Sequence, residues 1–313
     1  MNTKNNYKGM FFAAVTSFLF GILPIFLKYA LFFVSINTLN WVRCIFGVIF
    51  LGFFLYKKNP EQLKIIPRAP FLGILTGLAL ASNYLTYALG IKMTSPSNAQ
   101  VLIQTAPLLL ILAGVIFFKE RIAKIQGFGF FLAIIGLILF YLDQIKHFLG
   151  DPNIYSMGNM MVLIAAMAMV VWSILQKILV RTWSPTQITF LLFVVASMVF
   201  TPLANFSELL NLSLFNSLIL IMVGLLTAVS FVTFAHALAL MPISQLSVII
   251  TVNPLVTLVV MAILAFLQIN WAQQETITLA GYLGAFLLIF GVVLAQIGKQ
   301  AIQIFSQTEA KNI

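Results

Sequence analysis

The chain has 313 residues, of which 62% are hydrophobic and only 8% are charged, and its formal net charge is +10. A soluble domain averages about 25% charged residues, so a chain with this few charges would not keep the surface of a soluble fold hydrated. The composition therefore excludes a cytosolic enzyme, a nucleic-acid binder and a secreted disulfide domain, and it predicts a membrane protein with many spans.

Ten apolar segments follow one another along the chain. A helix that crosses a bilayer takes about 20 residues, and each segment is long enough for one. Their predicted bounds are 9–33, 38–56, 69–91, 96–118, 123–142, 157–180, 186–205, 214–239, 243–267 and 278–299. The apolar runs do not alternate in polarity as the strands of a membrane barrel do. We therefore predict an all-α integral membrane protein with ten transmembrane helices.

The lysine and arginine residues are distributed unequally between the two sides of the membrane that these spans define. If the N-terminus is cytoplasmic, most of the 17 basic residues fall in cytoplasmic segments. The opposite side and its flanks keep only Lys28, Arg43, Lys92 and Lys146. The positive-inside rule therefore predicts that both termini are cytoplasmic, and it accounts for most of the basic excess without nucleic acid.

The two halves of the chain resemble each other at a constant shift. Segment 83–107 aligns with segment 230–254, so that Pro107 falls on Pro254. The other matched pairs are Tyr84 with Phe231, Tyr87 with Phe234, Ala88 with Ala235, Ser97 with Ser244, Asn98 with Gln245 and Val101 with Val248. Apolar helices also resemble one another by composition alone, but matched prolines favour a true repeat.

The repeat divides the chain into residues 9–142 and 157–299, with five predicted spans in each part. Because five is an odd number, the second repeat is upside down relative to the first. Inverted repeats are typical of secondary transporters, whose substrate site lies near the midplane between the repeats.

At these residues the sequence resembles the drug/metabolite transporter superfamily, specifically its EamA type with ten helices. The first half carries Asn83-Tyr84-Leu85-Thr86-Tyr87-Ala88-Leu89, Ser97-Asn98-Ala99, Pro107, Lys119-Glu120-Arg121 and Gln126-Gly127. The second half carries Ala235-His236-Ala237-Leu238, Ser244, Pro254, Glu275 and Gly281. The sequence departs from the family pattern after the ninth span, where Leu267-Gln268 replace the acidic end and Glu275 arrives late. The resemblance implies a carrier of small metabolites, amino acids, nucleotide sugars or drugs.

Polar side chains inside a bilayer are costly and mark transport pathways by default. We predict that a central substrate cavity is lined by Asn83, Tyr84, Tyr87, Gln100, Gln104, His236, Ser247 and Thr251. Trp172 and Gln176, one turn apart, would add an aromatic wall and an amide. The alternative for each of these residues is a hydrogen bond between packed helices, which is common in membrane bundles.

Two basic residues and two prolines complete the candidate site. Lys28 and Arg43 would face an anionic group of the substrate; alternatively, Lys28 extends to the membrane interface and Arg43 pairs with a neighbouring helix end. Pro107 and Pro254 would act as hinges, or as fixed bends that serve packing.

The sequence offers little for catalysis. Its only cysteine is Cys44, its only histidines are His147 and His236, and it has no Gly-Lys-Ser/Thr nucleotide loop. We therefore expect no enzyme activity, no metal and no cofactor.

The function predicted from the sequence is secondary transport, by alternating access between inverted repeats, of small metabolites such as amino acids, most simply as an exporter. The alternatives are a multidrug or toxic-compound efflux transporter and a non-transporting membrane scaffold or lipid-handling protein. The expected partners are a small-molecule substrate and the lipid bilayer, without nucleic acid, in a monomer or weak homodimer. The expected location is the bacterial inner (plasma) membrane, with an organellar or Golgi membrane as the alternative.

Overall fold

A computed structural model describes residues 3–65, 70–109, 124–147, 152–241, 246, 249–273 and 278–309, and all regular structure in these ranges is helical. The main helices are α1 (Thr3–Ala30), α2 (Ile36–Lys58), α3 (Phe71–Met93), α4 (Pro96–Leu102), α5 (Lys124–His147), α6 (Pro152–Leu179), α7 (Pro185–Phe200), α8 (Leu214–Leu240), α9 (Asn253–Phe266) and α10 (Leu279–Glu309). Short helical turns occupy Pro60–Ile65, Thr201–Leu203, Ser207–Leu210 and Asn270–Gln273. The predicted all-α fold class is confirmed.

Six helices in the described part of the chain are long and apolar enough to cross a membrane. They contain Tyr7–Ala30, Ile36–Lys57, Phe71–Met93, Asn153–Leu179, Pro185–Leu203 and Leu214–Leu240, and they match the predicted spans one, two, three, six, seven and eight. Shorter apolar helices, Gly127–Phe140, Asn253–Phe266 and Leu279–Leu294, lie in the predicted spans five, nine and ten. The total of ten spans stays a prediction.

The fourth span of each half is interrupted near its proline. Helix α4 ends at Leu102, residues 103–104 form a turn, and residues 105–109 are helical again. In the second half, residues 251–252 form the turn, and α9 begins at Asn253 with Pro254 in its first turn. Within the described residues, the fourth span of each half is therefore interrupted by a turn, and the role of each proline as a hinge or a fixed bend stays a prediction. A proline lacks the backbone donor that would continue a helix, but it is well accommodated in a first turn.

Each long helix of one half packs mainly on a helix of the other half. Helix α5 packs on α10 over the largest contact of the fold, α3 packs on α6, α1 packs on α8, and α2 packs on α7. If each helix is replaced by its counterpart in the other half, the same four pairs of helices result.

Helices α5 and α10 approach so closely that their backbones touch. A Cβ atom added to Gly136 would lie 2.2 Å from the backbone nitrogen of Leu288, and one added to Gly284 would lie 2.5 Å from that of Phe140. A Cβ atom on Gly291 would likewise meet the backbone nitrogen of Ala133, at 2.4 Å. Small residues allow such close contact between helices in lipid, where apolar side chains gain little from leaving the solvent.

The beginning of α2 is tied to the loop that follows α7. The backbone N–H of Ser35, the residue that caps α2, donates to a carboxylate oxygen of Glu208 at 2.8 Å. The backbone N–H of Asn205 donates to the hydroxyl oxygen of Thr38 at 3.0 Å. We call these four residues the α2 clasp.

The beginning of α7 is tied in the same way to the segment that follows α2. The hydroxyl of Ser184, the residue that caps α7, donates to the side-chain oxygen of Gln62 at 3.0 Å. The side-chain amide of Gln187 donates to the backbone oxygen of Gln62 at 2.9 Å. These three residues form the α7 clasp, which contains no ionisable group, whereas the α2 clasp contains a carboxylate.

The carboxyl group of Glu208 has a lowered pKa. Burial acts to raise its pKa, but hydrogen bonds from the backbone of Ser35 and from the side chains of Thr38, Ser35 and Asn205 together outweigh burial. Those bonds favour the ionised form, so the α2 clasp is strongest when Glu208 is charged.

We expect the α2 clasp to weaken in acid. Because the folded-state pKa is lowered, Glu208 contributes stability that is present above the usual pKa of a glutamate and is lost as pH falls through the lowered value. In detergent, the melting temperature of Glu208→Gln should therefore fall less steeply below about pH 4.5 than that of the wild type. Glu61→Gln is the control, because Glu61 forms only an exposed pair with Lys64, and it should keep the wild-type profile. Parallel acid profiles for Glu208→Gln and the wild type would contradict this expectation.

The glycine contact between α5 and α10 allows a matched comparison of one substitution at two positions. Gly284→Ala places a methyl group against backbone atoms that cannot turn aside, and we expect it to destabilise the protein by about 1–3 kcal/mol. Gly127→Ala has open space around the new Cβ atom and should be neutral, or stabilising by up to about 1 kcal/mol through helix propensity. Melting temperatures in detergent measure both, and equal values for the two variants would contradict the close approach.

Candidate functional site

A cavity lies between the two halves of the chain, and we call it the central cavity. Its walls come from α1, α2, α3 and α4 of the first half and from α6 and α8 of the second half, together with residues next to the two helix breaks. Its volume is ≈ 640 Å³ when the part open to solvent is counted. The predicted site residues that line it are Arg43, Asn83, Tyr84, Tyr87, Gln100, Gln104, Trp172 and Pro107.

Arg43 is the charged group of this wall, and it is 2% exposed. Its Nε donates to the hydroxyl of Thr227 on α8 at 3.2 Å, and its Nη1 donates to the side-chain oxygen of Asn40 at 2.9 Å. Its guanidinium carbon lies 3.8 Å from the centroid of the Tyr84 ring on α3. Neutral groups from three helices thus hold the cation in place, and the described residues provide no carboxylate within ion-pair distance of it.

Aromatic rings close one side of the central cavity around Phe231 of α8. The ring of Phe231 lies 5.3 Å from that of Phe20 and 5.5 Å from that of Tyr84, centroid to centroid. It also lies 5.7 Å from the rings of Trp172 and Phe193. Because Phe231 contacts rings from α1, α3, α6 and α7, it joins four helices at the floor of the cavity.

The two helix breaks meet beside the cavity. The side-chain amide nitrogen of Gln104, in the first break, donates to the side-chain oxygen of Asn253, which begins α9, at 2.8 Å. Gln100 donates to the backbone oxygen of Phe20 at 3.2 Å and accepts a short hydrogen bond from the hydroxyl of Tyr87. These bonds fix the polar side chains of the cavity in defined orientations.

The buried polar atoms of the lining residues that have no hydrogen-bond partner among the described residues include two of clear chemistry. They are the indole Nε1 of Trp172, which can only donate, and the side-chain oxygen of Gln104, which can only accept. A buried polar atom without a partner costs free energy, and at a cavity wall a bound ligand could supply that partner.

Lys28 lies outside the central cavity. Its Nζ donates to the backbone oxygens of Ile91 at 3.0 Å and of Thr94 at 2.9 Å, at the C-terminal end of α3. Lys177 occupies the equivalent place in the second half, where its Nζ donates to the backbone oxygen of Leu238 near the end of α8, at 2.8 Å. Lysines at these positions satisfy the last carbonyls of a helix and interact favourably with its dipole. The structure thus gives Lys28 a capping position rather than the predicted place facing substrate.

The remaining predicted residues also lie apart from the cavity wall. His236 is half-buried, with Nδ1 2.9 Å from the backbone oxygen of Val232 and its ring 5.4 Å from that of Phe12. Gln176 and Thr251 are buried but do not line the cavity. Pro254 lies in the first turn of α9, and Ser247 lies outside the described residues.

Sequence reasoning missed two residues that hold Arg43. Asn40 precedes Arg43 by three residues on α2, so the spacing of neighbours on one helix face could have identified it. Thr227 is 184 residues away in the chain, and no sequence pattern connects it to Arg43.

Comparisons with known proteins agree with this architecture. The model of the EamA-like transporter family matches residues 7–142 and 156–296. An uncharacterized transporter of Haemophilus influenzae is 30% identical over 292 residues, which cover 93% of this chain and 95% of the relative. The uncharacterized inner membrane transporter YhbE of Escherichia coli K12 is 29% identical, covering 93% and 91%. A solved crystal structure superposes with a TM-score of 0.66 at 14% identity, covering 93% of this chain and 97% of its own, which supports a common fold.

The capping position of Lys28 predicts a structural role. Lys28→Met keeps the apolar stem but leaves the last carbonyls of α3 without their charged donor, and we expect a loss of about 1–3 kcal/mol in stability. Lys92→Met is the control, because the Lys92 side chain is exposed at the same helix end. Thermal unfolding in detergent compares the two variants. A stable Lys28→Met with weakened substrate binding would instead support the role predicted from the sequence.

Proposed function

The chain belongs to the EamA-like transporter family, and from that membership we propose that it is a secondary transporter, an exporter of small metabolites such as amino acids. It is a multi-pass membrane protein, and the relatives described above are named as transporters. Transporters of this kind are generally not enzymes, and the proposal includes no catalytic step.

The observation that carries the proposal is the position of Arg43. Removing a guanidinium from water is costly, and within the described part of the chain two neutral side chains and an aromatic ring offset this cost in part. An anionic group that enters the central cavity would find a cation already held in place by the fold and would supply the charge partner that these neutral groups do not. Charge-assisted bonds from arginine to a carboxylate are among the stronger polar contacts in proteins.

The other groups of the cavity support a carboxylate-bearing metabolite that also has a hydrogen-bond donor. The side-chain oxygen of Gln104 would accept from an ammonium or hydroxyl group, and the indole of Trp172 would donate to an oxygen. The aromatic floor around Phe231 would contact an apolar side chain. An α-amino acid combines these features, whereas a cationic drug would meet the positive charge of Arg43, so multidrug efflux is the less supported alternative.

The helix breaks support alternating access as the mechanism. In many transporters with inverted repeats, interrupted helices form the substrate site, and rocking of one repeat against the other exposes it alternately to the two sides. Here the breaks before Pro107 and Pro254 meet through Gln104 and Asn253, one from each half. We propose that residues 9–142 and 157–299 are the two inverted repeats and that the two prolines mark the points where the fourth spans bend.

The same proposal includes the location and the assembly. The Escherichia coli relative is named an inner membrane transporter, which supports the bacterial inner membrane, and the distribution of basic residues supports cytoplasmic termini. The functional unit in this proposal is a monomer or a weak homodimer.

Replacing Arg43 tests the proposal. The purified protein in liposomes should exchange a labelled amino acid or another carboxylate metabolite against the same unlabelled compound. Arg43→Gln should lower the apparent affinity by about 10- to 100-fold, the equivalent of one charge-assisted hydrogen bond. The apparent affinity of Arg43→Lys should lie between those of the wild type and Arg43→Gln, because an ammonium keeps the charge but cannot reproduce the planar stacking on Tyr84.

The control is Lys92→Met, which removes an exposed cation outside the cavity and should leave exchange unchanged. If no carboxylate metabolite in a broad panel is exchanged, or if Arg43→Gln behaves as the wild type does, this proposal is wrong.

A further inference from the structure

A second cavity opens at the C-terminal end of α2. Its walls include Asn59 and Gln62 after α2, Thr186 at the start of α7, and His236 of α8. Its volume is ≈ 680 Å³ when the part open to solvent is counted. The described wall offers amides, hydroxyls and one imidazole but no lysine, arginine or carboxylate, which suits the passage of polar solutes of either charge.

The two cavities lie at different depths along the same helices. On α2, Arg43 lines the central cavity and Leu55 lines the second one, and twelve residues of α-helix correspond to about 18 Å. On α8, Phe231 lines the central cavity and His236 lines the second one, a separation of about 7 Å along the helix axis. A solute that moved between the cavities would therefore travel along α2 and α8.

On α8, the buried Phe234 comes between Phe231, which lines the central cavity, and His236, which lines the second one. Phe234 belongs to a cluster of packed aromatic rings. We call it the aromatic septum, and it consists of Phe20, Trp172, Phe193, Phe231 and Phe234. Phe231 is its centre, and Phe234 extends it along α8, with its ring 5.2 Å from that of Trp172 and 6.2 Å from that of Phe20. Phe193, Phe231 and Phe234 are at most 5% exposed, so the septum is dry.

The septum is held by neighbours that leave it little freedom. Gly47 of α2 lies directly behind the Phe193 ring, and a Cβ atom added to Gly47 would lie 2.5 Å from that ring. Because Phe231 contacts rings from four helices, rotation of one side chain does not open a passage. Opening requires α8 to move relative to its neighbours, and a closely packed interface of this kind changes between discrete arrangements rather than continuously.

We infer that the second cavity is the opposite mouth of the transport path and that Phe231 is the centre of the gate between it and the central cavity. The inference rests on the proposed function, because a path with two mouths is needed only by a transporter. The α7 clasp forms part of the wall of this mouth, since Gln62 and Ser184 line the second cavity and bond to each other. The segments that follow α2 and α6 therefore meet at the rim of the mouth.

The test is labelling with a membrane-impermeant maleimide, applied to one face of the membrane at a time. Cys44 is the only cysteine, so Cys44→Ala provides a cysteine-free background. In this background, Ile103→Cys reports on the central cavity and His236→Cys on the second cavity. In right-side-out and inside-out membrane vesicles, we expect the two cysteines to be labelled from opposite faces.

Removing the central ring should connect the two cavities. With Phe231→Ala added, Ile103→Cys should also be labelled from the face that reaches His236→Cys, about tenfold faster than with the septum intact, because the ring that packs against four others is gone. Phe231→Leu retains part of the bulk and should give an intermediate rate. Phe286→Ala is the matched control, because it removes an exposed phenylalanine from the outer face of α10 and should change no labelling.

If Phe231→Ala does not accumulate in the membrane, Phe234→Ala removes a ring from the edge of the septum, and the same increase is expected. Labelling of both cysteines from one face overturns the inference. An unchanged rate in the septum variants that accumulate also overturns it. The labelling requires no substrate, so a failure to transport any metabolite would refute the proposed function without altering this result.

Discussion

Polar groups inside a bilayer have no water to bond to, so each one must find its partner within the protein. This constraint accounts for most of the polar contacts between the helices described above. Lys28 and Lys177 satisfy the terminal carbonyls of α3 and α8, and Asn98 and Asn159 join α4 to α6 through their side-chain amides at 2.6 Å. Even the close contact of α5 with α10 follows from it, because helices that keep their backbone bonds internal can pack directly against each other.

A few polar groups beside the central cavity do not have the partners that this constraint demands. Arg43 keeps a full positive charge among neutral partners, and polar atoms of Trp172 and Gln104 have no protein partner. All three residues line one cavity between the two halves of the chain. Other buried polar atoms without a partner, such as the side-chain amide of Gln176, lie away from this cavity. Those at the cavity wall are within reach of a polar solute, and a fully satisfied wall would gain little from one.

Much of the architecture could be read from the sequence because apolar runs of sufficient length have few alternatives in a membrane. The cavity residues from Asn83 to Gln104 were identified because polar groups are rare in such runs. Two features escaped prediction for physical reasons. The prolines predict a bend in each fourth span, but the turns lie at residues 103–104 and 251–252, a few residues before Pro107 and Pro254, and those positions depend on the packing of neighbouring helices. The position of Lys28 depends on which helix end lies beside it, and that is a property of the tertiary fold.

The contacts of the two halves are nearly interchangeable, but their chemistry is not. Ser35 and Ser184 cap α2 and α7 in equivalent positions. Counted from these caps, Leu192 of α7 is the equivalent of Arg43 of α2. One half therefore contributes a buried cation where the other contributes a buried apolar side chain, which is 0% exposed. A symmetric framework explains how the helices pack and how each half could move against the other. Within the described residues, the cation of the cavity wall therefore comes from α2. Under the proposed function, a solute with one charged and one apolar end would bind in a single orientation.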